Sequence, residues 1–171
     1  IYSKKRLNNK QNKILFDIAR KIYIYWFIQF DFPDKNGKPY KSSGGDFEFN
    51  STLKRELPVG WKDGLFGNSK ISTSLSSGII DFGGEKKYLS TSEVDNTKIV
   101  NHHNNVKLTN KPSRANMQPE ADTIWFAKMK NTSKNILVSE FSEAIINDYI
   151  FSTGFAGVKT LNNSLYYLWN F

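Results

Sequence analysis

The hydrophobic pattern changes its period at Pro33, and this change constrains the fold more than any other feature. Before it, apolar side chains such as Leu7 and Ile14 recur every three to four residues, which predicts one helix over residues 3–30. Proline lacks an N–H and disfavours helix at the residue before it, so the helix must end near Phe30. An isolated helix gains little from propensity alone, and its heptad-like stripe needs this chain's own domain or another helix to pack against.

After the helix, the sequence breaks into short segments typical of strands and turns. Residues 34–37 read as a turn and residues 42–45 as a flexible link, while the Asn- and Ser-rich stretches 68–78 and 101–105 are predicted to be loops. The strand candidates are residues 88–91, 98–100, 105–108, 123–128, 135–139 and 149–158, and the helix candidates are residues 142–148 and 163–170. We therefore predict an α+β (mixed) fold, in which a long N-terminal helix precedes a domain with a twisted, mostly antiparallel sheet and flanking helices.

The net charge of +8 is concentrated in two segments. Residues 1–30 hold seven Lys/Arg and one acid, and residues 98–134 hold seven Lys/Arg and two acids. The other two segments, 31–97 and 135–171, are slightly negative. Clustered cations bind and steer phosphate backbones, which indicates a polyanionic partner; a merely solvated Lys-rich helix is the alternative.

The sequence carries no arrangement typical of an active site. It has no cysteine, no glycine-rich phosphate-binding loop and no methyltransferase motif, and its two histidines, His102 and His103, are adjacent. Neighbouring residues of an extended segment point to opposite faces, so we assign both to a polar loop, with contacts to DNA bases as the alternative. We expect no catalytic residue, no metal site and no cofactor. No run of 18 apolar residues exists, so no membrane span is expected, and the lack of cysteine fits a reducing, cytoplasmic compartment.

Two turns in the second half of the chain carry polar groups suited to binding. Residues 111–117 are predicted to form a proline-fixed turn that presents Arg114 together with Ser113 and Asn116. Arginine offers a planar fork to guanine or phosphate, and asparagine can pair with adenine. Residues 152–155 are predicted to be a structural turn followed by a core phenylalanine, with a phosphate contact as the alternative.

A segment of alternating apolar and basic residues follows the first of these turns. A strand with one buried face would expose Lys128 and Lys130, with Lys134 at the next turn; a solvated strand face is the alternative. The candidate DNA-binding residues are therefore Lys107, Lys111, Ser113, Arg114, Asn116, Lys128, Lys130 and Lys134. The rings predicted to pack in the core rather than to stack on bases are Trp61, Trp125, Tyr166, Tyr167 and Trp169.

Several short blocks of this sequence, taken in order, resemble the specificity subunit of type I restriction-modification systems. The blocks are the helix with its junction YWFIQFDFPDKNGKPY, then LPVGW, YLSTSEV, PSRANM, IWFAKMKNTSK, FSTGFAGVK and LYYLW. Their order and spacing carry the resemblance, which covers essentially the whole chain.

The resemblance implies a fold and a set of partners. Such subunits carry two recognition domains separated by two long helices that pack as an antiparallel pair, and each domain reads one half of a bipartite DNA site. Residues 1–32 would then be the end of a spacer helix, residues 33–56 a connecting loop, and residues 57–171 a target-recognition domain lacking its C-terminal part. The implied partners are double-stranded DNA, methyltransferase (modification) subunits, the restriction subunit indirectly, and self-association through residues 3–30. Methylation and cleavage would belong to the other subunits.

Two other functions remain open at this point. The chain can be the recognition segment of a single-chain restriction-methylation enzyme, which a methyltransferase motif in the same reading frame would indicate. It can also be a non-DNA helical assembly module whose basic stripe binds an acidic protein, which the absence of any duplex binding at low salt would indicate.

Overall fold

The computed structural model describes residues 2–100 and 104–170, and it confirms the predicted α+β class. Among the described residues, the chain divides into two compact units, one formed by residues up to Gly64 together with Asn170 and the other by residues Leu65–Trp169. The first unit contains the N-terminal helix and a β-hairpin. The second unit contains two four-stranded sheets, a two-stranded pair and two short helices.

The N-terminal helix is confirmed, and its apolar stripe is exposed. Helix α1 spans Tyr2–Tyr23 and continues as a π-helical segment, Ile24–Ile28. The exposed apolar side chains of α1 are Leu7, Ile14, Leu15, Phe16, Ile18 and Ile22, each between 43% and 62% accessible. Within the described part of the chain, no other segment covers this stripe.

The helical segment ends just before Phe30, which has a left-handed backbone with φ of 64°. A bulky residue seldom adopts this conformation, because its Cβ crowds the neighbouring carbonyl. The ring of Phe30 is buried, Trp61 meets it edge-on with centroids 5.6 Å apart, and the Arg55 guanidinium lies 5.0 Å from its centroid. This packing stabilises a backbone that the local sequence alone would not favour.

The segment that follows is a compact turn. The buried Asp31 carboxylate accepts hydrogen bonds from the Ser42 hydroxyl at 2.6 Å and the Ser42 N–H at 2.7 Å, and together these bonds hold the pKa of Asp31 below its ordinary value of 3.8. The Tyr40 ring stacks on Phe32 with centroids 4.7 Å apart. The predicted flexible link, residues 42–45, is therefore tied at Ser42 to the end of the helical segment by hydrogen bonds.

Several strands pair with segments that are distant in the sequence, and the local sequence pattern did not indicate these pairings. In chain order they are Phe47–Asn50 (β1), Arg55–Pro58 (β2), Ser72–Ser74 (β3), Lys86–Leu89 (β4), Val94–Asp95 (β5), Lys98–Ile99 (β6), Asn105–Val106 (β7), Ala115–Met117 (β8), Thr123–Ala127 (β9), Asn135–Val138 (β10), Tyr149–Ser152 (β11) and Phe155–Thr160 (β12). Helix α2 spans Glu143–Asp148, and helix α3 spans Leu165–Trp169. A short 3-10 turn, Thr91–Glu93, follows β4.

Several sequence-based assignments are corrected by these elements. Residues 33–56, predicted as a connecting loop, contain β1 and the start of β2, which pair as a hairpin. The predicted loop 68–78 contains β3, and the predicted turn 111–117 ends in β8. Residues 149–158, predicted as one strand, form β11 and the first part of β12, which belong to different sheets.

The second unit packs two sheets around one core. Sheet I has the strand order β10-β9-β12-β3 and is antiparallel throughout. Sheet II has the order β7-β4-β11-β8, in which β4 and β11 are parallel. Trp125 of β9 and Phe151 of β11 are fully buried and meet nearly perpendicular, with ring centroids 5.0 Å apart. The core therefore draws side chains from both sheets, and the turn at Thr153-Gly154 carries the chain from one sheet to the other.

Candidate nucleic-acid interface

Three chain segments meet where two parallel strands of sheet II end. Strands β4 and β11 run side by side with Phe151 opposite Leu89, so the loops that leave their carboxyl ends are neighbours. Strand β8 lies antiparallel on the other side of β11, with Ala115 opposite Ser152. The first residue of β8 is therefore at the same end, and Arg114, just before it, lies beside the turn at Thr153.

Backbone hydrogen bonds fix these segments to one another. The Thr153 N–H donates to the Arg114 carbonyl at 2.8 Å, and the Gly154 N–H donates to the Ser152 hydroxyl at 3.1 Å. A Cβ added at Gly154 would lie 3.2 Å from the Thr91 methyl group and 3.7 Å from an Arg114 guanidinium nitrogen. The Arg114 side chain and the loop after β4 therefore both approach the turn at Gly154.

Two lysines of the segment after β9 reach this end of the sheet, Lys128 at the turn of Thr153 and Lys134 at the turn of Thr91. The Lys128 N–H donates to the Gly154 carbonyl at 2.9 Å, and the Lys128 ammonium donates to the Thr153 carbonyl at 3.2 Å. The Lys134 ammonium donates to the Thr91 carbonyl at 2.8 Å. Arg114, Lys128 and Lys134 are hereafter called the basic cluster.

The charges of the basic cluster are not neutralised within the described part of the chain. Arg114 and Lys128 are exposed, and Lys134 is half-buried. Among residues 2–100 and 104–170, the ion pairs join Lys87 to Asp148 and Lys107 to Glu85, and neither involves the cluster. The Arg114 guanidinium also makes no hydrogen bond to a described residue. Three cations held near one turn, with one guanidinium open to solvent, suit a phosphate or the edge of a base.

Four further candidate residues lie close in sequence to the cluster. Ser113 is exposed beside Arg114, Lys111 is half-buried two residues earlier, and Lys130 is exposed in the turn after β9. Asn116 is a half-buried residue of β8 whose carbonyl accepts a hydrogen bond from the Gly78 N–H at 2.8 Å. Strand β9 ends at Ala127. The expectation that Lys128 and Lys130 lie on the face of a strand is therefore wrong, since both belong to the turn.

Lys107 lies apart from the basic cluster. It follows β7, which is at the opposite edge of sheet II from β8. Three strand spacings of about 4.8 Å separate these edges by roughly 14 Å. The Lys107 ammonium is also 3.8 Å from a Glu85 carboxylate oxygen. The structure therefore does not bring Lys107 to Arg114.

Thr91 belongs to the site but was not among the candidate residues. The Glu93 carboxylate accepts hydrogen bonds from the Ser90 N–H at 2.7 Å and the Ser90 hydroxyl at 3.0 Å, and these two residues form a capping box. The Ser-x-x-Glu spacing is visible in the sequence as a helix-start signal, so it could have located this tight turn. The pairing of β4 with β11, which places Thr91 at the site, leaves no such local signal.

The remaining predictions concern the aromatic residues assigned to the core, the turn at residues 152–155 and the two histidines. Trp125 is a core residue as predicted, but Tyr166 is 62% exposed, so its assignment to the core is wrong. Phe155 is fully buried, which confirms the predicted structural turn and core ring at residues 152–155. His102 and His103, predicted to lie in a polar loop, are outside the described residues.

The comparisons with known proteins identified no relative. No protein-family model, curated protein or solved structure matches this chain. Across residues 2–100 and 104–170, no group of three or more His, Cys, Asp or Glu side chains is arranged to hold a metal ion. No helix in the described ranges combines the length and apolar character needed to span a bilayer.

Proposed function

We propose that this chain recognises a specific sequence in double-stranded DNA, reading one half of a bipartite target as the specificity subunit of a type I restriction-modification system. The proposal makes the chain non-catalytic and cytoplasmic, with methylation and cleavage carried out by partner subunits. It rests on two kinds of support: the ordered sequence blocks that resemble this family, and the basic cluster at the end of sheet II.

The observation that carries the proposal is the position of Arg114. Its guanidinium is exposed and makes no ion pair or hydrogen bond with the described residues, while its carbonyl is tied to the Thr153 N–H. A rigid backbone with an open guanidinium is what direct reading of a guanine requires, because the side chain keeps both donors available. Lys128, which contacts the same turn, and Lys134, which contacts the neighbouring Thr91, would bind the adjacent phosphates, and these contacts fix the register of the protein on the duplex.

The exposed stripe of α1 supports a role in assembly. Leu7, Ile14 and Ile18 are about half exposed and follow a heptad-like spacing, which is the pattern of a helix that packs on another helix. In the proposed function this partner is a second spacer helix, through self-association of residues 3–30, or a methyltransferase subunit. The same stripe favours the second candidate function, a helical assembly module that does not bind DNA.

Selection from a randomised duplex library separates these functions. Duplexes retained by the chain at moderate salt would be sequenced after several rounds, with the Arg114→Ala variant selected in parallel. The proposed function predicts one enriched motif for the wild-type chain and a relaxed position in that motif for the variant. Retention of duplexes without any enriched motif would indicate that the chain binds DNA without sequence specificity. No retention at low salt would favour the assembly module.

A further inference from the structure

One face of sheet I is only partly covered. Cross-strand neighbours share a face, so Ile124, Phe126, Ala156 and Val158 lie on the side opposite Trp125. At one end of this face, helix α3 packs Leu165 and Leu168 against Ile124. At the other end, towards the turn at Thr153, the face is open and forms a cleft of about 450 Å³.

The cleft combines ring surfaces with a few polar groups. Its walls include Phe66, Phe126, Ala156, Ser74, Thr153 and Lys128. The rings of Phe66 and Phe126 are half-buried, with centroids 6.3 Å apart and planes inclined at 53°. Aromatic faces suit a flat apolar ring, and the hydroxyls and ammonium offer donors to the edge of such a ring.

The cleft and the basic cluster share residues. Lys128 belongs to both, because its ammonium donates to the Thr153 carbonyl at 3.2 Å while its side chain lines the cleft. The Arg114 carbonyl accepts the Thr153 N–H on the same turn. A ligand that reaches the cleft while touching the cluster must therefore carry an anionic group next to a flat ring. A nucleotide in a DNA strand has this chemistry.

We propose that this cleft accepts a single unpaired nucleobase of the bound DNA. The base would lie on the floor formed by Phe126 and Ala156 and beside the Phe66 ring, while the neighbouring phosphate stays on Lys128. A base leaves the stack most readily where it is mismatched or bulged. The inference rests on the proposed function for DNA binding, but it adds a site that binding to a paired duplex does not need.

The experiment compares three duplexes of the same mixed sequence by fluorescence anisotropy. One is fully paired, one carries a single bulged adenosine, and one carries a bulged abasic residue at the same position. The abasic bulge keeps the backbone flexibility and removes the base. Stacking of one base on aromatic side chains is worth enough to tighten binding between about fivefold and a hundredfold. We expect the bulged adenosine to bind about tenfold more tightly than the abasic bulge.

Variants that fill the cleft should abolish this preference. Ala156→Leu adds bulk from the floor of the cleft, and Ala156→Ser is its control because it keeps the small size. Ser74→Leu fills the cleft from the neighbouring strand β3, where Ser74 lies opposite Val158, and serves if the first variant does not fold. The leucine variants should bind both bulged duplexes equally, while their affinity for the paired duplex stays within about twofold of the wild type.

The outcomes distinguish this inference from the function on which it rests. Equal binding of the adenosine and abasic bulges by the wild-type chain, with paired duplex still bound, overturns the cleft proposal alone. If both leucine variants still prefer the adenosine bulge, the base binds elsewhere, and this result also overturns the cleft proposal. Failure to bind any of the three duplexes at low salt overturns the proposed function as well.

Discussion

At the scale of single residues, Arg114 should distinguish sequence reading from general attraction to DNA. Replacing it with alanine removes the guanidinium without disturbing the carbonyl that accepts the Thr153 N–H. If Arg114 pairs with a guanine, Arg114→Ala should weaken binding to the motif enriched by selection by about 1–3 kcal/mol. Its binding to random DNA should weaken by much less. Arg114→Lys keeps the charge but loses the fork, so it should lose the same preference. Equal losses on both DNAs would make Arg114 a phosphate contact.

Asp31 gives a residue-scale test of the junction after α1. Its pKa is held below 3.8 by the Ser42 hydroxyl first and the Ser42 N–H second. Because the folded pKa is depressed, its contribution to stability is present above pH 3.8 and is lost as the pH falls through the folded value. Asp31→Asn should therefore lower the thermal unfolding midpoint at neutral pH.

Unfolding measurements at acidic pH test whether the charge of Asp31 is what stabilises the junction. Thermal unfolding followed by circular dichroism should show the difference between wild type and Asp31→Asn narrowing as the pH drops below 3.8. Asp17→Asn, at an exposed position on α1, is the control and should leave the midpoint unchanged. A difference that stays constant across the acidic range would show that the carboxylate charge is not what Ser42 stabilises.

The residues of the basic cluster could be proposed from sequence, but their grouping could not. Arg114 and Lys128 stood out because the local pattern places a cation beside a proline turn or an apolar strand. Lys107 was also a candidate, yet it faces Glu85 at the far edge of sheet II. What separates them is the strand order, which depends on contacts between distant segments. The residues next to a lysine in the sequence do not indicate the strand order of the sheet.

At the scale of elements, the close packing of β12 on β9 depends on Gly157. A Cβ at this position would lie 2.6 to 2.9 Å from the ring of Trp125, which is fully buried. Gly157→Ala should therefore destabilise the protein by about 1–3 kcal/mol, because the core has no room for the ring to move. Chemical denaturation measures this change directly.

Gly83 is the matched control for Gly157. A Cβ added there meets no atom within 4 Å, so Gly83→Ala should change stability by less than about 0.5 kcal/mol. A Gly157→Ala protein as stable as the control would show that Trp125 does not pack against β12 as described.

The exposed stripe of α1 gives a second element-scale prediction. If residues 3–30 pair with a second copy, burying Ile14 and Ile18 contributes about 1.5–3 kcal/mol for each side chain. The double substitution Ile14→Ser, Ile18→Ser should then raise the dissociation constant about a hundredfold or more, as measured by sedimentation velocity. Asn12→Ser is the control on the same helix. A wild-type chain that stays monomeric at every concentration would rule out self-association through this stripe.

Elements with a strong local pattern were predictable, and weakly patterned ones were not. The α1 helix follows from its apolar period, and β9 follows from Thr123-Ile124-Trp125, a run of strand-forming residues. Strand β3 consists of Ser72, Thr73 and Ser74, whose composition is that of a loop. It is a strand because it pairs with β12. Its conformation is therefore set by tertiary contacts and not by local preference.

At the scale of the whole molecule, charge should govern the affinity for DNA. The net charge of +8 and the cations gathered at the end of sheet II predict that binding is accompanied by release of counterions. If about six phosphates are neutralised, log K should fall with log salt at a slope of roughly −5. The slope counts phosphate contacts, so it tests the cluster independently of any base sequence.

The salt dependence of duplex binding by the wild-type chain and by the triple variant Arg114→Gln, Lys128→Gln, Lys134→Gln tests the central claim most directly. If these three residues bind DNA, their loss should move the slope towards zero by about one for each phosphate contact removed. Lys70→Gln, an exposed lysine just before β3, is the control and should leave the slope unchanged. A triple variant that remains folded and keeps both the wild-type affinity and the wild-type slope would contradict the claim that the basic cluster is the DNA-binding surface.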